Sequence, residues 1–245
     1  MKKPESKLQE LVSRLQQACG DNLLSVVLFG SAAREDFHEE FSDVNLLIVL
    51  QDLKPSSFVS ISTVLQWWSH EEKLRPPMIM TLEELRESAD VFAIELLDIK
   101  ESHKTLFGQD VAAAIEVPMN LHRIEVEHEL RTTLLRLRHH LLLSPKEDEL
   151  RAVLAKSITS VLTLFRHALI ALGEKPPHAK PQLLERAGEV FGLEVGPLRS
   201  ILELRNDDRH SENLRELYYA YMSAIQRVAH ELDARVPKRH LRSVL

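Results

Sequence analysis

Leu8, Leu11, Val12 and Leu15 recur at the three- and four-residue spacing of one helix face, which predicts a helix from about Glu5 to Ala18. Gly20-Asp21-Asn22 follows as a turn signal. The period then changes. Leu23–Phe29 (LLSVVLF) is a short, β-branched apolar run closed by Gly30, the pattern of a buried strand, and Val44–Leu50 repeats it. Ser31–Asp36 between them suits a short helix. Phe58, Ile61, Val64, Leu65 and Trp68 predict a helix over Ser56–His70, interrupted by Pro76-Pro77, after which Met78–Met80 makes a third strand. Thr81 with Glu84 three residues on has the spacing of a capping box and starts another helix. Val91–Ile99 reads as a fourth strand, with Asp98 ending it and capping a helix that begins near Lys100.

Strands alternate with helices as far as Gly108, which indicates an α/β domain. Beyond it the strand signal fades. A helix is expected from about Leu121 to Leu142, and Leu150, Leu154, Ile158, Val161, Phe165, Ala168 and Leu172 make one long apolar stripe. Leu214, Leu217, Tyr221, Ile225, Val228 and Leu232 make another, with shorter helices around Pro181–Ala187 and Pro197–Leu204. An antiparallel bundle buries such faces. The expectation is two domains, α/β over residues 1–110 and all-α over 120–245, with Asp110–Met119 as the hinge.

Composition narrows the function. The 245 residues are 44% apolar, enough for a sizeable core, and the net charge is −6. That balance argues against an extended nucleic-acid surface, which needs basic charge, but leaves room for a local anion site. Cys19 is the one cysteine, so neither an intrachain disulfide nor a cysteine zinc site is expected. The opening MKKPESKLQE lacks the apolar core of a signal peptide, and no uncharged apolar run is long enough to cross a bilayer. The expectation is a soluble cytoplasmic protein with no membrane partner.

The candidate chemistry lies in Leu28–Leu50, LFGSAAREDFHEEFSDVNLLIVL. Gly30 lets backbone approach a ligand closely, and Ser31 offers a hydroxyl at a helix start, where free N–H groups favour an anion. Arg34 can add a two-pronged phosphate contact. Asp43 opens the second strand, and position 45, two residues on, shares its face. Two acids there would hold Mg²⁺ against a triphosphate. The second of them is Asn45.

Phe29-Gly30-Ser31, a spacer, and Asp43-Val44-Asn45-Leu46 resemble the signature of the polymerase-beta-type nucleotidyltransferase superfamily. The helical second half is similar to the bundle that follows this domain in kanamycin-type nucleotidyltransferases. The resemblance implies a small mixed sheet with flanking helices, a nucleoside triphosphate as ligand, and Mg²⁺ as cofactor. It implies transfer of a nucleoside monophosphate to an acceptor hydroxyl, on a small molecule or a protein, and is compatible with a homodimer. By the resemblance Asp43 and Asn45 would be the catalytic and metal positions, and Gly30, Ser31 and Arg34 the phosphate positions.

Two departures weaken the implied activity. Asn45 brings no charge to a metal. The superfamily also carries a third acid on a later strand, and Pro77–Thr81 has none; Glu95 and Asp98 lie further on, in VFAIELLDI, and either could turn toward the site. The expectation is therefore binding with transfer weak or lost, set against a non-catalytic binding or interaction module. A third reading starts from Arg205-Asn206-Asp207-Asp208-Arg209-His210, which resembles the Arg-polar-x-x-x-His motif of HEPN ribonucleases. There His210 would be the acid–base group and Arg205 would stabilise a phosphorane. The plainer alternative is a polar helix junction with Ser211 as N-cap. Trp67-Trp68 could stack on a base, although one of the two is expected in the core, and His139-His140 point apart on a helix and cannot share a metal.

Overall fold

A computed structural model of the chain describes residues 3–33, 44–72, 74–143, 146–204 and 213–235. The chain divides into two compact units, residues 1–118 and 119–245.

In the first unit, α1 (Lys3–Cys19) leads into β1 (Leu23–Phe29), β2 (Asn45–Leu50), α2 (Pro55–Gln66), β3 (Met78–Thr81), α3 (Leu82–Glu87), α4 (Ala93–Glu101) and β4 (His103–Gly108). The strands form one mixed sheet in the order β3-β2-β1-β4. β1 runs antiparallel to both β2 and β4, and β3 runs parallel to β2. Side chains alternate across the sheet. Val26, Leu28, Leu46, Ile48 and Leu50 pack against Leu11 and Leu15 of α1 and Ile61, Val64 and Trp68. Val27, Phe29, Leu47, Val49 and Met80 face the other way, onto Leu85 of α3, Leu96 and Ile99 of α4, and Val111, Ala112 and Ile115. A strand covered on both faces is apolar at every position, which is why β2 reads as an unbroken run.

Helix α2 continues through a π turn at Trp67–Glu71. Both tryptophans are core residues, Trp67 beneath the Arg14 guanidinium at 4.2 Å and Trp68 donating from Nε1 to the Arg75 carbonyl at 2.9 Å. Neither offers an open ring to a base. Thr81 forms the expected capping box: its Oγ1 accepts from the Glu84 N–H at 3.1 Å, and the Glu84 carboxylate accepts from the Thr81 N–H at 2.8 Å.

The fourth strand is not where its apolar run suggested. Val91–Ile99 is mostly α4, and the strand is the more polar segment that follows it, His103–Gly108. Ala93, Ile94, Leu96, Leu97 and Ile99 of α4 are buried, and a short helix covered on most sides carries the same run of apolar residues as a strand. Asp98 consequently lies inside α4 instead of ending a strand ahead of a helix; Phe92 holds the N-cap position without a side-chain bond. β4 is an edge strand with partly exposed side chains, so its pattern is weak. The segment read as a hinge places Val111, Ala112 and Ile115 in the core of this unit.

The second unit contains α5 (Met119–Leu143), α6 (Glu147–Ala171), α7 (Lys180–Phe191), α8 (Val195–Glu203) and α9 (Leu214–Arg235). By length and composition alone α6 would suffice to cross a bilayer. Its apolar stripe, Leu150, Leu154, Ile158, Val161, Phe165 and Ala168, is instead buried within the bundle, as the central helix of a bundle requires. Ser211 lies outside the described residues. Asn213 meets the first free N–H groups of α9, its Oδ1 accepting from Arg215 at 3.1 Å and Glu216 at 3.4 Å.

Candidate functional site

The antiparallel pairing of β1 with β2 and β4, and the parallel pairing of β3 with β2, bring the end of β1 and the starts of the other three strands to one end of the sheet. Phe29 pairs with Asn45 on one side and with His103 on the other. Gly30 follows at once, with φ +75°. Its N–H donates to the Ser102 carbonyl at 3.0 Å, and the Ser102 hydroxyl donates to the Gly30 carbonyl at 3.4 Å. A Cβ at position 30 would stand 3.2 Å from Asn45 Nδ2. The left-handed backbone favours glycine here, and a Cβ would in addition oblige the Asn45 amide to shift by a few tenths of an ångström.

Residues Gly30–Ala33 form a 3₁₀ turn, in which Ser31 is half-buried. Since the Gly30 N–H is committed to Ser102, the anion donors this turn can offer are the Ser31 hydroxyl and the N–H groups after Gly30. Ser31 and Asn45 thus sit at the same end of the sheet, one on each side of Gly30. Arg34 and Asp43, on either side of the motif's spacer, lie outside the described residues, as do Arg205 and His210.

Asn45 faces the side of the sheet that Phe29 and Leu47 face. On the neighbouring strand Met78 pairs with Leu47 and packs on that same side. The first position of β3 that could send a side chain toward Asn45 is thus a thioether. Glu95 is on α4 rather than on a strand, and its Oε2 is buried without a hydrogen-bond partner among the described residues. No hydrogen bond or ion pair joins it to Asn45 or Ser31 among those residues. Nor do the described residues bring three or more His, Cys, Asp or Glu side chains together as a metal site. Two open clefts, about 320 and 650 Å³, lie at the far end of the sheet, around Leu82 and Arg86.

A polar cluster that sequence reasoning missed lies inside the bundle. His122 of α5 and His167 of α6 are fully buried, with His122 Nε2 2.8 Å from His167 Nδ1. Nη2 of the buried Arg166 lies 3.0 Å from His167 Nε2. Burial, reinforced by the neighbouring His167, pushes His122 down to about 4. The signal was present, since His122 shares a helical stripe with Val126, Leu130, Leu134 and Leu137, all buried. His139 and His140, by contrast, are exposed.

Comparison with known proteins identifies the family and a similar fold. A family model described as a nucleotidyltransferase domain matches residues 6–131. No curated protein matches the sequence. Among solved structures, the fold is similar to that of spectinomycin adenyltransferase AAD(9) from Enterococcus faecialis, solved with ATP and spectinomycin. The TM-score is 0.60 at 15% identity, over 91% of this chain and 98% of that one.

Proposed function

The chain belongs to the nucleotidyltransferase-domain family, and on that premise we propose that it binds a nucleoside triphosphate at the Gly30–Asn45 end of its sheet and transfers nucleotide weakly or not at all. Ser31 and the N–H groups after Gly30 are the phosphate donors, joined by Arg34 of the same motif, while Asp43 of that motif is the metal position. The family neighbour solved with ATP and spectinomycin supports a triphosphate as ligand and a small molecule as acceptor of any residual transfer.

The observation that carries the second half is the chemistry at position 45. Mg²⁺ takes hard oxygen ligands, chiefly carboxylates, in a strict octahedron. Asn45 offers one uncharged carbonyl oxygen, and Met78, on the adjacent strand and the same side of the sheet, offers a thioether. With Asp43 the motif thus supplies one carboxylate where the resemblance implies two or three, a donor set that does not fit a tightly held Mg²⁺. No step of this proposal runs through the ion. The expected behaviour is recognition of phosphate by hydroxyl, N–H and guanidinium groups without the charge stabilisation that transfer needs.

Calorimetric titration of the full chain with ATP and GTP, each with and without Mg²⁺, tests the reading. Binding that changes little on adding Mg²⁺ is expected. Asn45→Asp should make affinity Mg²⁺-dependent, by about tenfold or more, and should raise transfer of label from α-labelled ATP. No binding of either nucleotide under any condition would overturn the binding half. Transfer by the unaltered chain as fast as by the variant would overturn the other.

A further inference from the structure

Phe29 pairs with Asn45 on one edge of β1 and with His103 on the other. Residues directly opposite in antiparallel strands point the same way, so Asn45, Phe29 and His103 stand in a row across three strands, on one side of the sheet. Lys104, opposite Leu28, points to the other side. His103 is thus the basic side chain that β4 presents on the side of Asn45. It also follows directly on Ser102, whose carbonyl holds the Gly30 N–H at 3.0 Å at the head of the 3₁₀ turn.

The imidazole is held from beneath the sheet. After β4 the chain turns at Gly108, φ +76°, and folds back under this same face, where Val111, Ala112 and Ile115 pack. Asp110 heads that segment, and its Oδ1 stands 3.2 Å from His103 Nε2. The carboxylate also accepts from the Ala112 N–H at 3.0 Å and the Ala113 N–H at 3.3 Å. Those two bonds account for the aspartate without the histidine, and an ion pair whose side chains are 20% and 49% exposed adds little stability. What the pair does fix is the ring. A carboxylate accepts, so Nε2 carries a hydrogen and Nδ1 is the nitrogen left over. Nδ1 makes no hydrogen bond among the described residues.

On the premise of the nucleotide site above, we propose that His103 is a further phosphate contact, with Nδ1–H donating to a phosphate oxygen while Nε2–H stays on Asp110. In that complex the ring carries a hydrogen on both nitrogens, and its positive charge lies between a carboxylate and a phosphate. A triphosphate that gains little from Mg²⁺ at Asn45 is met here by a cation of the chain itself. Asp110 touches no ligand; it positions the ring.

Calorimetry of the full chain with ATP and with inorganic triphosphate, both without Mg²⁺, tests the contact. His103→Gln should weaken both about tenfold. Asp110→Asn keeps an oxygen for Ala112 and Ala113 but withdraws the charge behind the ring, and should weaken both about threefold. Affinity in His103→Gln equal to that of the parent overturns the proposal. So does a loss for ATP that inorganic triphosphate does not share, because the contact is then not with phosphate. A substitution can also disturb β4, so nitrogen-15 NMR of the unaltered chain gives a second reading. The His103 Nδ1 resonance should move on adding inorganic triphosphate, and an unmoved resonance overturns the proposal whatever the variants do. An unaltered chain that binds neither ligand removes the nucleotide site itself, whereas binding that ignores His103 removes this contact alone.

Discussion

Acid should weaken the helical unit selectively, and the reason can be followed proton by proton. Arginine only donates, so His167 Nε2 accepts from Arg166. His167 then carries its proton on Nδ1 and donates it to His122 Nε2. His122 must therefore hold its own proton on Nδ1, the ring nitrogen buried without a partner among the described residues. A second proton on His122 would set two N–H groups against each other in a site closed to water. Burial first, and the nearby His167 second, hold His122 at about 4, against 6.5 for the free side chain. The unfolded chain thus takes up this proton below about 6.5, and the folded chain only near 4. The stabilisation is present in full above 6.5 and is lost as pH falls through that window. At about 1.4 kcal/mol per pH unit over some two and a half units, the loss approaches about 3 kcal/mol. The chain provides its own reporters: both tryptophans, Trp67 and Trp68, are in the first unit, and all three tyrosines, Tyr218, Tyr219 and Tyr221, are in the second. Urea midpoints from near-ultraviolet tyrosine signals should fall between pH 7 and pH 4.5 by more than those from tryptophan fluorescence. His122→Gln, which can still accept from His167 but cannot titrate, should remove most of that difference. A tyrosine midpoint that falls as steeply in the variant as in the parent would refute the reasoning.

Three further outcomes follow from the first unit. Gly108→Ala places a Cβ 1.9 Å from the Leu24 carbonyl oxygen at φ +76°, a backbone clash that no side-chain rotation relieves, and should cost about 3 kcal/mol or more in the tryptophan-monitored unfolding transition. Gly30→Ala meets only the side chain of Asn45, at 3.2 Å, so a smaller loss of about 1–2 kcal/mol is expected, together with weaker ATP binding by calorimetry; unchanged affinity would remove Gly30 from the site. Thr81→Ala deletes the capping box and should lower the same midpoint by about 1 kcal/mol, leaving nucleotide affinity untouched.

How much of this was legible in the sequence depended on whether a residue's neighbours were local. β1, β2, α2 and the Thr81 cap could be read because period, turn glycine and capping spacing are properties of adjacent residues. Exchange of identity between α4 and the segment after it could not be avoided by pattern alone. The apolar run Ala93–Ile99 owes its character to burial on most sides, and β4 owes its existence to pairing with β1, more than seventy residues earlier. The same limit applies to the candidate site. Gly-Ser and the strand after it marked the place, whereas the position of Met78 beside Leu47 follows only from the parallel register of β3. His122 and His167 are 45 residues apart, and nothing local pairs them.

The proposed separation of binding from transfer has a structural basis in where each requirement resides. The turn proposed to hold phosphate is fixed by backbone: a left-handed glycine, one N–H held by Ser102 at the head of β4, and β1 gripped on both edges. The charge that transfer needs would have to come from side chains at the mouths of β2 and β3, where Asn45 and Met78 stand. β2 is anchored by Leu46 through Leu50, all buried, so the identity of residue 45 has little effect on whether the strand forms. An acid can thus be exchanged for an amide there while the fold and the cradle persist. Similarity of fold to an adenyltransferase at 15% identity accordingly carries the architecture and not the activity. The discriminating quantity is the charge at position 45. A reversal at that single residue, leaving Gly30 and Ser31 unchanged, separates a binding site that lacks its metal ligand from one shaped for something other than a triphosphate.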